Sequence, residues 1–319
     1  MLYVIIATCG RSTLLGRTLR SLAECDPPAA FGGTIVVENG DQQQGTERVV
    51  RGAASSLHAE YLFHPEANKS GALNAALKRV GDGLVVFLDD DVVVGRSLLT
   101  AYEAAAAGLA RGVFFGGPVF PDYEVPPPDW LVDYLPPSAR GWRLDQADEL
   151  VTSPIFLGAN WAAFVEDLAA AGGFDPWFGP GAATGGVGQE WAMLRRLLAN
   201  GLRGRYVGGA EVWHWVPRHR CSPRWALRRS YRRGIRSGLT GDAPIESARI
   251  CGFPRWALRR ALEGALRALL CSLHPRRRVR FQAMRESLFS LGYLKGSRFA
   301  YARRDAPVEM PARNTSLGA

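Results

Sequence analysis

Three consecutive carboxylates follow an apolar run in the stretch VVFLDDDVVVG, residues 85–95. Asp89, Asp90 and Asp91 repel one another unless a cation lies among them, because each negative charge disfavours ionisation of its neighbours. Hard divalent cations such as Mn²⁺ and Mg²⁺ bind carboxylate oxygens together with substrate phosphates. The cluster therefore predicts a divalent metal site for a diphosphate, although phosphatases and nucleases also place acids at strand ends. A helix cap on Asp91 or Ser97 would explain only one acid.

The segment NKSGALNAAL, residues 68–77, offers a second site for phosphate. The N-terminus of a helix presents free backbone N–H groups, and Lys69 adds a positive charge. A capped helix start with a solvated lysine explains the same residues without a ligand. The sequence has no GxxxxGK[ST] motif, which excludes a P-loop, and no GxGxxG after its first strand, which disfavours a dinucleotide-binding fold.

Four strand–helix units before residue 117 would position these groups. The apolar runs LYVIIAT, GTIVVENG, AEYLFHP and GLVVFLDDD are each followed by a helix-like segment. This alternation predicts an α/β fold with a doubly wound, mostly parallel sheet that is covered on both faces. Ligands of such sheets bind at the carboxyl ends of the strands. Those ends carry polar residues or glycine at 8–11, 38–40, 64–71 and 89–91.

The region after Pro217 is strongly basic. The 319-residue chain has a formal net charge of +9, and about 17 arginines against three acids lie between Pro217 and Arg280. The heptapeptide PRWALRR begins two amphipathic helices, at Pro223 and Pro254. Such helices indicate peripheral contact with an anionic membrane, or else a helical bundle with a solvated arginine face. In the second helix, one face carries a row of leucines: Leu258, Leu262, Leu266, Leu269 and Leu273.

Cysteine usage and hydropathy favour the cytoplasm as the compartment. The five cysteines are odd in number and form no CxxC motif, so reduced thiols are expected. The first residues, MLYVIIATCGR, indicate a core strand rather than a signal peptide. The sequence also lacks a run of about 18 apolar residues that would indicate a membrane span. The expected location is cytoplasmic, or peripheral on the inner face of the cell membrane.

Eight segments resemble, in chain order, those of family 2 glycosyltransferases with a GT-A fold: VIIATCGR, VVENGD, NKSGALNAAL, VFLDDDV, GANWAAF, GGFDPWFG, GQEWAMLRRLLANG and VWHWVP. The resemblance covers roughly residues 2–217. It implies a Rossmann-like GT-A catalytic domain over 1–217, with a nucleotide-sugar half (1–117) and an acceptor half (118–217). The remaining part, 218–319, resembles the basic helical extensions of bacterial members.

The resemblance also implies roles for individual residues. The metal, Mn²⁺ or Mg²⁺, would bind Asp91, with Asp89 and His214 as further ligands. Glu190 would be the catalytic base. Without the resemblance, His214 is equally a packed core residue, and Glu190 an acid favoured by the helix dipole. The donor would contact Thr8, Arg11, Glu38, Asn39, Asn68, Lys69, Gly71, Asp89 and Asp90, and the acceptor would contact Asn160, Trp161 and Gln189.

Two positions depart from the family pattern. Gln189 stands where the family usually has a first acid at the helix start, which bears on acceptor contacts. Glu38 stands where the family usually has aspartate, which bears on the identity of the nucleotide.

The activity implied by the resemblance is that of a metal-dependent, inverting glycosyltransferase of the hexosyl type. The donor would be a nucleotide-diphosphate sugar, with a UDP-sugar favoured. The acceptor would be a hydroxyl of a lipid-linked saccharide, a polysaccharide or a natural product. The alternatives are a sugar nucleotidyltransferase and a basic nucleic-acid- or membrane-binding protein without catalysis. A nucleic-acid partner is not expected, because the acidic cluster repels phosphate without a metal.

Overall fold

The strands of the structure follow the predicted alternation. The computed structural model describes residues 1–145, 150–153, 155–241 and 248–305. Its strands are β1 (Leu2–Thr8), β2 (Phe31–Asn39), β3 (Ala59–His64), β4 (Leu84–Asp89), β5 (Val92–Val94), β6 (Val113–Gly116), β7 (Val119–Tyr123), β8 (Leu150–Val151), β9 (Asn160–Phe164), β10 (Arg203–Tyr206), β11 (Val212–Val216), β12 (Arg249–Ile250) and β13 (Phe253–Pro254).

The predicted α/β fold with a mostly parallel sheet is confirmed. Eight strands form one sheet in the order β3–β2–β1–β4–β9–β6–β10–β8. β3, β2, β1 and β4 are parallel neighbours, whereas β9 runs antiparallel to both β4 and β6. β10 is parallel to β6, and β8 pairs with it in the antiparallel sense. The four parallel strands therefore end at one common edge, where the acidic cluster lies.

Helices cover both faces of this sheet and continue into the C-terminal part. They are α1 (Ser12–Ala23), α2 (Gln44–Gly52), α3 (Ala54–Leu57), α4 (Lys69–Leu77), α5 (Leu98–Ala106), α6 (Asp129–Val132), α7 (Pro137–Arg140), α8 (Val165–Ala170), α9 (Gln189–Ala199), α10 (Pro223–Leu239), α11 (Arg255–Cys271) and α12 (Arg277–Asp305). Within the described ranges, none of these helices is both long and apolar enough to cross a bilayer.

Side chains of the central strands alternate between two apolar layers. In β1, Val4 and Ile6 belong to a layer shared with α1 and α5, whereas Ile5 belongs to a layer shared with α4 and α9. Strands that are buried on both faces need apolar residues at successive positions, which explains their continuous hydrophobic runs. The two layers hold the carboxyl ends of the strands in a fixed arrangement.

A second, three-stranded sheet brings a distant residue to the acidic cluster. Its order is β5–β11–β7, and β5 begins at Val92, directly after Asp91. β11 pairs antiparallel with β5 in a register that sets His214 opposite Val92. The backbone N–H of Trp215 also donates to the carbonyl oxygen of Asp91 at 2.8 Å. Strand pairing therefore places His214 beside the acids.

The C-terminal helices pack against the rest of the molecule. α10 and α12 approach so closely that only glycine fits at two contact positions. A Cβ atom on Gly234 would clash with the Phe289 carbonyl, and one on Gly292 would clash with the Tyr231 carbonyl. A third apolar cluster joins α10 and α12 to α6 and α7 through buried residues: Leu131, Leu135, Ala139, Val216, Cys221, Ala226 and Phe281. The boundary at residue 217 remains a prediction.

Candidate active site

The acidic cluster occupies the turn between β4 and β5. β4 ends at Asp89 and β5 begins at Val92, so the acids lie at the carboxyl edge where ligands of such sheets bind. Asp90 is fully buried within this turn. Thr8, the last residue of β1, donates its hydroxyl to Asp90 Oδ2 at 2.6 Å. The turn is thereby tied to the neighbouring strand.

Arg11 bridges two of the three acids. Its Nε donates to Asp90 Oδ2 at 3.0 Å, and its Nη1 donates to Asp91 Oδ2 at 2.7 Å. A further hydrogen bond joins Nη2 to Asp90 Oδ1. Burial raises the pKa of Asp90 to about 6, although the charge of Arg11 opposes this shift. The chain itself therefore supplies part of the positive charge that three adjacent carboxylates require.

Thr8 and Asp90 hold Arg11 at this strand end. Both side chains are buried and bonded to each other. Arg11, which bonds Asp90, has a side chain that is 38% exposed. The donor contacts predicted for Thr8, Asp90 and Arg11 stay predictions.

Asp89, Asp91 and His214 form a group with the composition of a metal site. Each offers one ligand atom, and these atoms lie within 4.8 Å of one another. His214 Nε2 is 3.3 Å from Asp91 Oδ1. Among the described residues, neither Asp91 Oδ1 nor His214 Nδ1 has a hydrogen-bond partner, although both atoms are buried. A buried, unpartnered carboxylate oxygen is costly, and a bound cation would satisfy it. Two carboxylates and an imidazole therefore fit Mn²⁺ or Mg²⁺.

The pKa shifts of the two carboxylates favour their charged forms. Burial would raise the pKa of Asp91, but the nearby His214, together with the charges of Arg11 and Arg220, lowers it well below its usual range. Burial would likewise raise the pKa of Asp89, yet the charge of Lys69 lowers it. Both groups are thus ionised at neutral pH, as metal ligands must be.

Lys69 contacts the cluster from the start of α4 and forms an ion pair with Asp89. Burial alone would lower the pKa of Lys69, but the charge of Asp89 outweighs burial and raises it. Asn68 caps the same helix, because its Oδ1 accepts from Gly71 N at 3.1 Å and its Nδ2 donates to the Pro176 carbonyl at 3.0 Å. Asn68 thus caps the helix and Lys69 pairs with an acid of the cluster. The donor contacts predicted for both residues stay predictions.

Gly71 is required by the packing of a histidine. A Cβ atom at this position would lie 2.7 Å from His64 Nε2. His64 Nε2 is buried and lacks a hydrogen-bond partner within the described ranges. A direct contact between Gly71 and the donor stays a prediction. His64, the last residue of β3, is a further polar residue at this edge of the sheet, and it was not predicted as a site residue.

Glu38 holds the loop that precedes α2. Its carboxylate accepts from Gln43 N at 3.0 Å, from the Thr46 hydroxyl at 2.6 Å and from the Tyr61 hydroxyl at 2.7 Å. The side chain is fully buried, and the donor contact predicted for Glu38 stays a prediction. Asn39, the last residue of β2, is nearly buried as well, and its donor contact stays a prediction.

Glu190 lies in the first turn of α9, close to the cationic part of the site. The segment before this helix is anchored on α4, where Lys69 N donates to the Pro180 carbonyl at 3.0 Å. Glu190 packs over Gly158, on which a Cβ atom would lie 3.3 Å from the glutamate Cδ. Its charge acts on both Lys69 and Arg229. Glu190 is partly exposed and therefore open to a substrate.

Two arginines from the basic C-terminal region reach the same site. Arg220 Nη1 lies 3.6 Å from Asp91 Oδ2. Burial lowers the pKa of Arg229, a residue of α10, while the charges of Glu190 and Asp89 oppose that shift. Neither arginine was predicted from the sequence as a site residue. The signal available for Arg220 was its position shortly after His214 in the same segment, VWHWVPRHR.

Asn160 and Trp161 are both buried, and the acceptor contacts predicted for them stay predictions. Trp161 is 1% exposed, and its ring stacks on Phe87 at a centroid distance of 4.6 Å. Asn160 is also buried, where it accepts from the Tyr102 hydroxyl at 2.7 Å and donates to two backbone carbonyls. Both residues belong to β9, in the middle of the sheet. Gln189 is also nearly buried, with 6% of its surface exposed, and its acceptor contact stays a prediction.

An acid-rich carboxyl edge, a histidine from a second sheet and a glutamate at a helix start are the arrangement of a GT-A glycosyltransferase. A family model described as "Glycosyltransferase like family 2" matches residues 1–237. The chain belongs to this family. The match extends through most of α10, so it includes both Arg220 and Arg229.

Curated relatives are similar over part of their length. The chain is 28% identical over 227 residues to validoxylamine A glucosyltransferase of Streptomyces hygroscopicus subsp. limoneus. The aligned part covers 63% of this chain and 49% of the relative. It is 31% identical over 134 residues to the succinoglycan biosynthesis protein ExoM of Rhizobium meliloti, covering 41% and 43%. The chain thus spans about half the length of the curated relatives it matches.

Solved structures share the fold at low sequence identity. The mannosyltransferase PcManGT from Pyrobaculum calidifontis, in complex with GDP-Man and Mn²⁺, superposes with a TM-score of 0.57 at 19% identity, covering 92% of this chain and 86% of the other. S. aureus TarS 1-349 in complex with UDP-GlcNAc gives a TM-score of 0.52 at 12% identity, covering 95% and 91%. At these identities the similarity concerns the fold alone.

Proposed function

We propose that the chain is a metal-dependent, inverting glycosyltransferase that moves a hexosyl group from a nucleotide-diphosphate sugar to an acceptor hydroxyl. The observation that carries this proposal is the unpartnered, buried Asp91 Oδ1 beside His214, at the strand edge where nucleotide ligands bind. Asp89, Asp91 and His214 would hold the cation. A divalent cation there would neutralise charge on the diphosphate leaving group as a Lewis acid.

Four cationic side chains support binding of the diphosphate. Arg11 and Lys69 approach from the nucleotide half, and Arg220 and Arg229 approach from the C-terminal region. Arginine binds phosphate oxygens in a planar, bidentate manner, which fixes orientation as well as charge. In the described structure Arg11, Lys69 and Arg220 pair with the acids, and the charge of Glu190 acts on Arg229. A diphosphate would therefore offer phosphate oxygens to the three paired cations in place of their acid partners.

Glu190 is the group proposed to accept the proton of the acceptor hydroxyl. In a direct displacement the acceptor oxygen forms a bond to C1 as the bond from C1 to the diphosphate oxygen breaks. The hydroxyl proton passes to the Glu190 carboxylate, and the nucleotide diphosphate leaves with the bonding electron pair. Attack from the face opposite the leaving group inverts the configuration at C1. Partial exposure of Glu190 supports this role.

The nucleotide is proposed to be uridine diphosphate, with guanosine diphosphate as the competing candidate. The structural relatives include complexes with UDP-GlcNAc and with GDP-Man. The acceptor is proposed to be a saccharide, free or lipid-linked, because the curated relatives include a glucosyltransferase named for a small natural product and a protein of polysaccharide biosynthesis. Family membership disfavours the nucleotidyltransferase and purely binding alternatives.

A donor panel tests the proposal. UDP- and GDP-hexoses are incubated with the full chain, Mn²⁺ and a set of nitrophenyl glycosides, and the anomeric configuration of each product is read by NMR. The expected result is release of one nucleoside diphosphate, dependent on Mn²⁺ or Mg²⁺ and abolished by EDTA, with an inverted product. Transfer with retention, or turnover unaffected by EDTA, would contradict the proposed mechanism.

A further inference from the structure

The helix α11 packs on α12 through its small residues and carries its large ones outward. Ala257 and Ala261 are the buried residues of α11. The leucines on another side of the helix and in the turn after it are exposed, a set that we call the leucine face: Leu262 (72%), Leu266 (57%), Leu269 (69%), Leu270 (72%) and Leu273 (92%).

The spacing of these leucines makes the leucine face continuous. Residues separated by three, four, seven and eight positions lie on one side of an α-helix. The four leucines inside α11 therefore form one apolar strip, and Leu273 follows in the turn after the helix, with each of the five side chains more than half exposed. Exposed strips of this size mark interaction sites in proteins that are otherwise soluble. The leucine face is thus a surface that requires a partner.

Positive charge flanks both ends of the leucine face. Arg255 and Arg259 are exposed at its N-terminal end, and Arg276 and Arg280 are exposed just after its C-terminal end. Glu263 is the acid of α11, and it pairs with Arg259 at 2.7 Å. An apolar strip between arginines has the composition of a helix that lies in the interface of an anionic membrane.

An arginine-lined cavity opens beside the leucine face. The cavity has a volume of about 830 Å³ and lies between α10, α11 and α12. Its cationic lining consists of Arg233, Arg260, Arg267 and Arg285. Of these, Arg267 pairs with Glu286, whereas no ion pair within the described ranges involves the other three.

Two acids, Glu263 and Glu286, also line the cavity, but they pair with Arg259 and Arg267. Three of the four arginines of the cavity therefore have no carboxylate partner in the described ranges. Arg285 Nε is buried and has no hydrogen-bond partner among the described residues. Burial, together with the like charge of Arg285, lowers the pKa of Arg233. Both features favour an anionic group such as a phosphate inside the cavity. Because Arg260 and Arg267 lie on α11 itself, that anion would sit next to the leucine face.

We propose that the leucine face docks on an anionic lipid bilayer, with lipid phosphates held by the arginine-lined cavity. The leucines enter the boundary between headgroups and acyl chains, and the flanking arginines contact anionic headgroups. A second copy of the chain fits the surface poorly. Pairing of two leucine faces, parallel or antiparallel, sets arginines against arginines at both ends.

This inference does not depend on the proposed reaction. Vesicle binding is measured without donor, acceptor or metal, so loss of the glycosyltransferase proposal would leave it standing. Conversely, a chain that does not bind vesicles could still transfer sugars. Bilayer docking would add that the acceptor is encountered at a membrane surface.

Co-sedimentation of the full chain with vesicles tests the leucine face. The vesicles are phosphatidylcholine alone or a mixture of phosphatidylcholine with anionic phosphatidylglycerol. The test variant is Leu266→Ser/Leu269→Ser/Leu273→Ser, and the control is Val125→Ser/Leu150→Ser, which removes exposed apolar residues elsewhere. All proteins are first compared by thermal unfolding, because exposed leucines should not affect the core.

The wild-type chain and the control should bind the anionic vesicles, and the leucine variant should bind at least about tenfold more weakly. Replacing Arg233 and Arg260 with glutamine should reduce the preference for phosphatidylglycerol, whereas Arg48→Gln/Arg51→Gln on α2 should not. Absence of binding to anionic vesicles, or equal binding by the leucine variant, overturns the proposal. A wild-type dimer in light scattering that the leucine variant dissociates also overturns it, in favour of a second copy.

Discussion

Arg220 Nη1 lies 3.6 Å from Asp91 Oδ2, which links the basic C-terminal region to the acidic cluster at the end of β4. Asp91 already receives a hydrogen bond from Arg11 at 2.7 Å, so arginines from both ends of the matched region converge on one carboxylate. The C-terminal helices therefore have two separate surfaces. One carries cations to the active site, and the other is the exposed leucine face of α11.

Loss of the Arg220 charge should weaken donor use. Arg220→Gln should lower kcat/KM for the donor by about ten- to a hundredfold, because hydrogen bonds to charged groups contribute about 1.5–3 kcal/mol. Steady-state kinetics at saturating Mn²⁺ measure the effect. Arg224→Gln, on the exposed side of α10, is the matched control and should leave kcat/KM unchanged. Equal losses in both variants would show that general positive charge, not Arg220, is responsible.

Metal affinity should depend on Asp91 and His214 individually. Removal of an outer-shell partner already reduces metal affinity about 10–100-fold, so loss of a ligand should reduce it at least as much. Isothermal titration with Mn²⁺ of Asp91→Asn and His214→Gln measures this directly. The control Asp82→Asn removes an exposed acid and should bind Mn²⁺ like the wild type. Unchanged affinity in His214→Gln would exclude the imidazole as a ligand.

The raised pKa of Asp90 should appear in the pH dependence of stability. The pKa is about 6 in the folded chain against 3.8 for a free aspartate side chain, so the folded state binds this proton more tightly than the unfolded state. The contribution of Asp90 to the free energy of unfolding should therefore fall as pH rises from about 4 to about 6. Urea unfolding of the metal-free wild type and Asp90→Asn gives the difference. A difference that is flat, or that increases with pH, would contradict the burial-driven shift.

Trp161 should behave as a core residue and not as an acceptor contact. Trp161→Ala should lower the free energy of unfolding by about 3–5 kcal/mol, because it opens a cavity where the ring stacks on Phe87. Trp161→Phe keeps most of the packing and should leave the acceptor KM unchanged. A raised acceptor KM in Trp161→Phe, with stability preserved, would return Trp161 to the acceptor surface.

The parallel half of the sheet could be predicted because its strands are continuous apolar runs between helix-like segments. The same runs end at the acidic cluster, so the position of Asp89 and Asp91 followed from the pattern. His214 and Glu190 were identified only through the resemblance. The pairing of β11 with β5 places His214, and the anchoring of the segment before α9 places Glu190. Both depend on contacts between distant parts of the chain, which a local sequence pattern does not show.

The buried polar residues show where a local pattern is insufficient. Thr8, Glu38 and Asn160 are polar and lie at strand ends or starts, but each is buried and bonded to another part of the chain. The spacing of residues along a strand predicts which side chains share a face of the sheet. It does not predict which of those faces a ligand contacts. Arg220 and Arg229 were missed for the converse reason. In a region so rich in arginine, composition does not reveal which side chains turn toward the site.

The central claim is that Glu190 accepts the acceptor proton at a metal-dependent donor site, and Glu190→Gln tests it most directly. Donor affinity is measured by titration with the preferred nucleotide sugar, and transfer is measured as nucleoside diphosphate released in the presence of acceptor. The account predicts donor affinity like that of the wild type, with transfer slower by about 10²–10⁴-fold, the usual contribution of a general base. Transfer at the wild-type rate in Glu190→Gln would contradict it.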